Sequence, residues 1–241
     1  MKYLKKNMIK IGIDVSLSST AIYVNDENEQ YILCYLNDKK TDKWANELNK
    51  IKNVNIHRIS TTNYNEGYSK NEIKKLLKYD EISEKVVNDL FTICGKRYCD
   101  IRFEGYSYTK DTNSLNDIIT LTTLLRLKMI NKLNCDLTII SPPSLKLETC
   151  KYCYGVTEIK RFHKKTGKEL APELKVVNPD GLSGGNFTKF DIYKAIIDKK
   201  LNTIILDWLL NNQNILTMKK IPSPVDDIND AFMLSKISIE L

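Results

Sequence analysis

Alternation dominates the start of this chain. Residues 8–15 (Met-Ile-Lys-Ile-Gly-Ile-Asp-Val) put an apolar side chain at every second position, which predicts a strand. Residues 19–25 and 30–36 predict two more, and Asn25-Asp-Glu-Asn between them is turn chemistry. Strands joined so briefly imply an antiparallel meander. Trp44, Leu48 and Ile51 then share one face of a short helix over 42–51, and 54–59 reads as another short strand. Residues 61–70 are polar and predict a loop. Residues 71–94 have helical period, with a break expected near Asp80.

Further along, the pattern predicts a strand over 100–106 and a helix over 115–133, with Asn113 or Ser114 as its cap. A buried strand follows at 137–140 and ends at Ser141-Pro-Pro. A helix over 187–210 carries Phe190, Tyr193, Ile196 and Ile197 on one face. A final helix over 225–238 is introduced by Pro222 and Pro224. Between these, Lys160-Arg-Phe-His-Lys-Lys-Thr-Gly-Lys is basic and Asn178-Pro-Asp-Gly-Leu-Ser-Gly-Gly-Asn is turn-rich. They predict a basic insertion or flexible arm at 154–185 within a single domain spanning 1–241. The order of strands and helices is that of an α/β architecture.

A chain of 241 residues can bury a full core. Lys+Arg number 37 against 30 Asp+Glu, a net charge of +7, and that excess suits a polyanionic partner. The six cysteines lie mostly in apolar segments, where reduced thiols behave as small hydrophobes. The basic start is followed by an apolar stretch that Asp14 interrupts and that lacks a small-residue cleavage pattern, so no secretion signal is expected. No run is long enough for a membrane helix. A reducing, intracellular setting without membrane attachment is the expectation.

Four acids stand out against this pattern. Asp14 lies inside the first apolar strand, Glu104 ends another, and Asp227 and Asp230 are three apart on the last helix, so they share a face. Asp226 on that helix is read as pointing elsewhere. A carboxylate in a buried strand is costly without a partner or a metal. Three distant segments offering carboxylates to one point would supply the oxygen ligands of two Mg²⁺ or Mn²⁺ ions, the arrangement used for phosphodiester hydrolysis. Each acid also has a plainer reading. Asp-Asp-x-x-Asp at a helix start complements the helix dipole, and a lone Asp or Glu can mark a strand end.

With these residues in view, the chain resembles the RuvC-type Holliday junction resolvases, including phage and viral relatives. Ile11-Gly-Ile-Asp-Val-Ser-Leu-Ser-Ser-Thr-Ala is similar to their first-strand motif. Phe103-Glu-Gly-Tyr-Ser-Tyr resembles their second acidic strand, and Asp227-Ile-Asn-Asp-Ala their C-terminal Asp-x-x-Asp-Ala. Ser141-Pro-Pro-Ser-Leu-Lys and Gly185-Asn-Phe-Thr-Lys-Phe-Asp-Ile resemble segments between these, and the resemblance spans about residues 8–238. It implies an RNase H-like mixed sheet, three antiparallel strands then two parallel ones, flanked by helices. It also implies Asp14, Glu104, Asp227 and Asp230 as metal ligands and Lys189 as a contact to the reacting phosphate. Lys146 is a further lysine candidate. The partner implied is branched DNA, a four-way junction, cut by a homodimer whose surface is expected on the helix over 115–133. The family places an aromatic soon after its second acid, and Tyr106 and Tyr108 flank that position here. Val15 stands where relatives often have proline, and the chain is longer than compact bacterial members through residues 38–70 and 154–185.

Other constellations keep their places beside this one. Lys160, Arg161, Lys164, Lys165 and Lys168 with Phe162 suit a grip on a DNA arm, or a solvated loop. Cys150 and Cys153 with His163 offer three ligands to Zn²⁺, but a closed site needs four and none other is local, so ordinary thiols are the preferred reading. Gly12-Ile-Asp-Val-Ser also resembles the first phosphate loop of actin-like ATPases and sugar kinases, whose second loop has its nearest match in Asp180-Gly-Leu-Ser-Gly-Gly. A binding module without catalysis is the third class. Four clustered acids argue against it, because they repel DNA and one another.

Overall fold

The alternating segments at the start pair as their pattern requires. In a computed structural model describing residues 8–37, 42–60, 62, 64–106, 112–164, 166–177 and 187–237, β1 (Ile9–Val15), β2 (Ser19–Asn25) and β3 (Gln30–Leu36) form an antiparallel meander. After α1 (Asp42–Leu48), β4 (Val54–Arg58) joins the outer edge parallel to β3. After α2 (Tyr68–Cys94), β5 (Cys99–Glu104) pairs parallel with β1. After α3 (Thr112–Lys132), β6 (Cys135–Ile140) pairs parallel with β5. The resulting six-stranded mixed sheet has the order β4-β3-β2-β1-β5-β6. That is the expected RNase H-like arrangement, with β4 added at one edge.

Each face of the sheet carries its own core. Ile9, Ile11 and Ile13 of β1 and Ile101 and Phe103 of β5 pack under α2 and α3. The alternate positions face α4 (Pro142–Tyr154), α5 (Lys189–Asp198), α6 (Leu206–Asn211) and α7 (Val225–Lys236). Period-two geometry therefore sends Gly12 and Asp14 to the α7 side. Gly12 lets that helix lie directly on the strand. A Cβ there would stand 1.9 Å from the Ala231 carbonyl oxygen and 2.7 Å from the Ser235 amide nitrogen. This close seat brings the first turns of α7 over the end of β1.

Several elements differ from the sequence expectations. α2 begins at Tyr68 and runs unbroken through Asp80, because Asp80 itself falls on the solvent side while Tyr79, Ile82, Val86 and Leu90 stay on the core side. Ser141-Pro-Pro does more than end a strand. The Ser141 hydroxyl caps α4 by accepting from the Ser144 amide at 3.3 Å, and proline suits a first helical turn. The helix expected over 187–210 is two, interrupted between Asp198 and Leu206, with Lys200 in the left-handed region at φ 47°. Within the expected insertion or flexible arm, β7 (Val156–Phe162) and β8 (Glu169–Val176) form a separate antiparallel hairpin with β7 exposed along its length. Among the described residues no helix is long and apolar enough to cross a membrane.

Candidate metal centre

Three elements end at one cavity. Asp14 sits one residue before the end of β1, Glu104 closes β5, and Asp227 and Asp230 project from the first turns of α7. All four line a cavity of about 250 Å³, together with Ser16, Tyr106, Lys146 and Lys189. Carboxylate oxygens of Asp14, Glu104 and Asp230 lie within 4.8 Å of one another. Asp227 lines the same cavity, and its Oδ2 accepts a 2.8 Å hydrogen bond from the Ser223 hydroxyl. Asp14, Asp227 and Asp230 are 5%, 6% and 2% exposed, so three carboxyls are almost wholly removed from water.

That burial is costly, and the protonation behaviour records it. Asp14 titrates well above the ordinary carboxyl range, first through desolvation and then through repulsion from Glu104, Asp227 and Asp230. Desolvation, with repulsion from Asp226 behind it, raises Asp227 to about 6. Asp230 is raised to about 7 by desolvation, against the opposing pull of Lys189. The positive end of α7 offsets part of this cost for the acids in its first turn.

Lys189 supplies the local counter-charge. It is the first residue of α5, behind a capping box in which Thr188 and Asp191 satisfy each other's backbone amides. Its ammonium lies 3.0 Å from Asp230 Oδ2 and 3.2 Å from Asp226 Oδ2. Burial works against this charge, but Asp230, Asp226, Asp14 and Asp227 together hold the lysine well above its usual range. Asp226 is thus part of the acidic network and does not point away from it. Its role was hidden because it depends on where α5 begins. Its other oxygen, Oδ1, is buried without a hydrogen-bond partner.

The donor set fits a hard divalent cation. Every group offered is a carboxylate oxygen, the ligand type of Mg²⁺ and Mn²⁺, and the raised proton affinities mark a cluster short of positive charge. The zinc constellation does not gather. Cys150 Sγ lies 3.6 Å from the Val177 carbonyl oxygen, while His163 Nδ1 bonds Thr166 at the hairpin turn. Among the described residues, the carboxylate group alone has metal-site spacing.

The other candidates are spread more widely. Lys146 on α4 lines the cavity. Tyr106 also lines it, with its hydroxyl held by Arg126 and Thr122 on α3. Lys160, Arg161, Lys164 and Lys168 are exposed on the β7–β8 hairpin and line no part of the cavity. Tyr108, Lys165 and the Asp180–Gly185 segment lie outside the described residues. Sequence reasoning missed Asp226 and Arg126. The only available signal for the first was its position beside Asp227, and a lone arginine on an amphipathic helix gives none.

No family model matches the chain, and no curated protein matches it. Among solved structures, similar folds include Thermus thermophilus RuvC in complex with a Holliday junction substrate, at 9% identity and TM-score 0.44, covering 95% of this chain and 90% of that one. A second Thermus thermophilus RuvC structure aligns at 11% identity and TM-score 0.44, covering 95% and 91%. Ydc2, the yeast mitochondrial Holliday junction resolvase, aligns at 12% identity and TM-score 0.46, covering 97% of this chain and 77% of that one. Likenesses this distant say nothing about which residues act.

Proposed function

We propose that the protein is a divalent-cation-dependent endodeoxyribonuclease that resolves four-way DNA junctions by paired symmetric nicks. The observation that carries this reading is the convergence of Asp14, Glu104 and Asp230 from three distant segments, with Asp227 on the same cavity wall. Asp14, Glu104, Asp227 and Asp230 would hold the ions. Bound there, Mg²⁺ or Mn²⁺ supplies an activated water and charge neutralisation at the attacked phosphodiester.

The chain's own residues do the rest. The carboxylates fix where cations enter and where the phosphate comes to rest. Lys189 lines the same cavity, where its ammonium would donate to a phosphate oxygen. Lys146 adds a second ammonium on the cavity wall. Tyr106 offers a ring to a nucleotide beside the attacked bond. The exposed cations of the β7–β8 hairpin, Lys160, Arg161 and Lys164, hold an arm of the substrate through phosphate contacts. A four-way junction has two equivalent cutting points, so a two-fold homodimer places one cavity at each. The exposed Ile119, Leu127 and Ile130 of α3 mark the surface proposed for that contact.

The test is a substrate panel: labelled four-way junctions, flaps and linear duplexes, each with Mg²⁺ or with EDTA. Paired nicks confined to the junction and abolished by EDTA support the reading. Equal cutting of every substrate reduces it to a general nuclease. ATP turnover without DNA cleavage replaces it with the kinase-like alternative.

A further inference from the structure

A half-buried arginine behind the cavity has no charged partner among the described residues. Arg126 on α3 lies with its guanidinium carbon 5.1 Å from the Phe103 ring centroid and 5.2 Å from that of Tyr106. Its Nη1 donates to the Tyr106 hydroxyl at 3.1 Å, while Nε and Nη2 are buried without a hydrogen-bond partner among the described residues. Among the described residues no carboxylate is within ion-pair distance of it. Guanidinium nitrogens buried without an acceptor are costly, and an apolar side chain of similar volume would avoid that cost. What the arginine does make is a contact to each of two rings, and of the two only Tyr106 also takes a hydrogen bond from it.

Tyr106 is also held from two other directions. The preceding residue, Gly105, is pinned to the end of β6 by a 2.6 Å bond from its amide to the Ile140 carbonyl, and a Cβ on it would stand 3.2 Å from that oxygen. Thr122 lies one turn before Arg126 on the same face of α3, and its hydroxyl is 3.2 Å from that of Tyr106. The tyrosine follows Glu104 by two residues and forms part of the cavity wall. Its ring therefore has one fixed attitude beside the acids, set from the far side by Arg126.

We infer that Arg126 is a positioning residue: it locks the Tyr106 ring against the cavity wall, so that the ring meets the nucleotide flanking the attacked phosphate without first having to be ordered. An ordered ring loses less entropy on binding than a mobile one. The inference rests on the proposed DNA-cleaving function for its consequence, but its structural half stands apart from it.

Two measurements test it. In protein labelled with 3-fluorotyrosine, the Tyr106 signal is assigned by its loss in Tyr106→Phe. Arg126→Met is expected to shift and average that ¹⁹F resonance toward the free-tyrosine position, and an unchanged resonance overturns the inference. Junction binding is then measured in Ca²⁺ for wild type, Arg126→Met, Tyr106→Ala and the double variant. Arg126→Met is expected to weaken binding about tenfold, in the range of one aromatic–base contact. In the Tyr106→Ala background it is expected to cost nothing further. Equal losses in both backgrounds would mean that the arginine meets DNA directly, and no loss in wild type would mean that it has no such role. Either result overturns the inference. If Arg126→Met does not fold, Arg126→Lys takes its place in both measurements. A wild type that binds no junction sinks the proposed function, while the ¹⁹F result still decides whether Arg126 fixes the ring.

Discussion

Replacing Asp14 by Asn should make the metal-free protein more stable while removing its response to Mg²⁺. At the 4.8 Å separation that bounds the Asp14, Glu104 and Asp230 oxygens, two full charges repel by about 3.5 kcal/mol at an effective dielectric of about 20. A proton taken up instead costs free energy as well. Asp14 has an unperturbed value of 3.8, so holding it protonated at pH 7 costs roughly 4 kcal/mol at about 1.4 kcal/mol per unit. Either route puts the penalty at about 1–4 kcal/mol once relaxation is allowed for, and a neutral amide of the same shape avoids it. For a domain of this size each kcal/mol moves the midpoint by about 2–4 °C, so Asp14→Asn should raise Tm in EDTA by about 3–10 °C. Mg²⁺ at a hundredfold excess over its dissociation constant should stabilise the wild type by about 2.7 kcal/mol and the variant by far less. Differential scanning calorimetry of both proteins, with EDTA and with Mg²⁺, reads all four quantities. A variant less stable than wild type in EDTA, or one with an undiminished Mg²⁺ response, would refute the reasoning.

Three further outcomes are expected. Asp227 and Asp230 titrate at about 6 and about 7 in the fold, above the unfolded value of 3.8, so the native state binds more protons between these limits. Their stabilising contribution is complete below about pH 4 and is lost as pH rises through 6 and 7. Urea midpoints of metal-free wild type should therefore fall relative to Asp227→Asn/Asp230→Asn between pH 4 and 8, and a pH-independent gap would contradict this. Gly12→Ala should destabilise by roughly 3 kcal/mol or more, because the added carbon collides with α7 backbone, and an unchanged urea midpoint would show that the helix can lift. Lys160→Glu/Lys164→Glu should weaken junction binding and lower the slope of log K against log salt by about two, without altering Mg²⁺ stabilisation, and an unchanged slope would remove the hairpin from the DNA interface.

The parts of the fold written in local pattern were legible. Alternation in 8–15, 19–25 and 30–36, with a turn at Asn25, led directly to the antiparallel meander. Acids placed against apolar neighbours announced themselves because burial of charge is rare. What was not legible depended on tertiary context. Nothing in the polar stretch of α2 says which face will meet the sheet, so the helix looked broken where it is continuous. The arm at 154–185 looked irregular because β7 is exposed at every residue and so has no buried face to impose alternation. The Asp226–Lys189 pair joins two helices 37 residues apart in sequence, a distance over which spacing carries no information. Arg126 was invisible for the same reason, since its significance lies wholly in the two rings that enclose it.

Soaking crystals of the protein in Mn²⁺ and collecting anomalous diffraction tests the central claim most directly. Two anomalous peaks are predicted in the cavity, each within coordination distance of at least two of Asp14, Glu104, Asp227 and Asp230, with the Lys189 ammonium withdrawn from Asp230. Saturating Mn²⁺ that leaves the cavity without a peak, and Lys189 still bridging Asp226 and Asp230, would contradict the account.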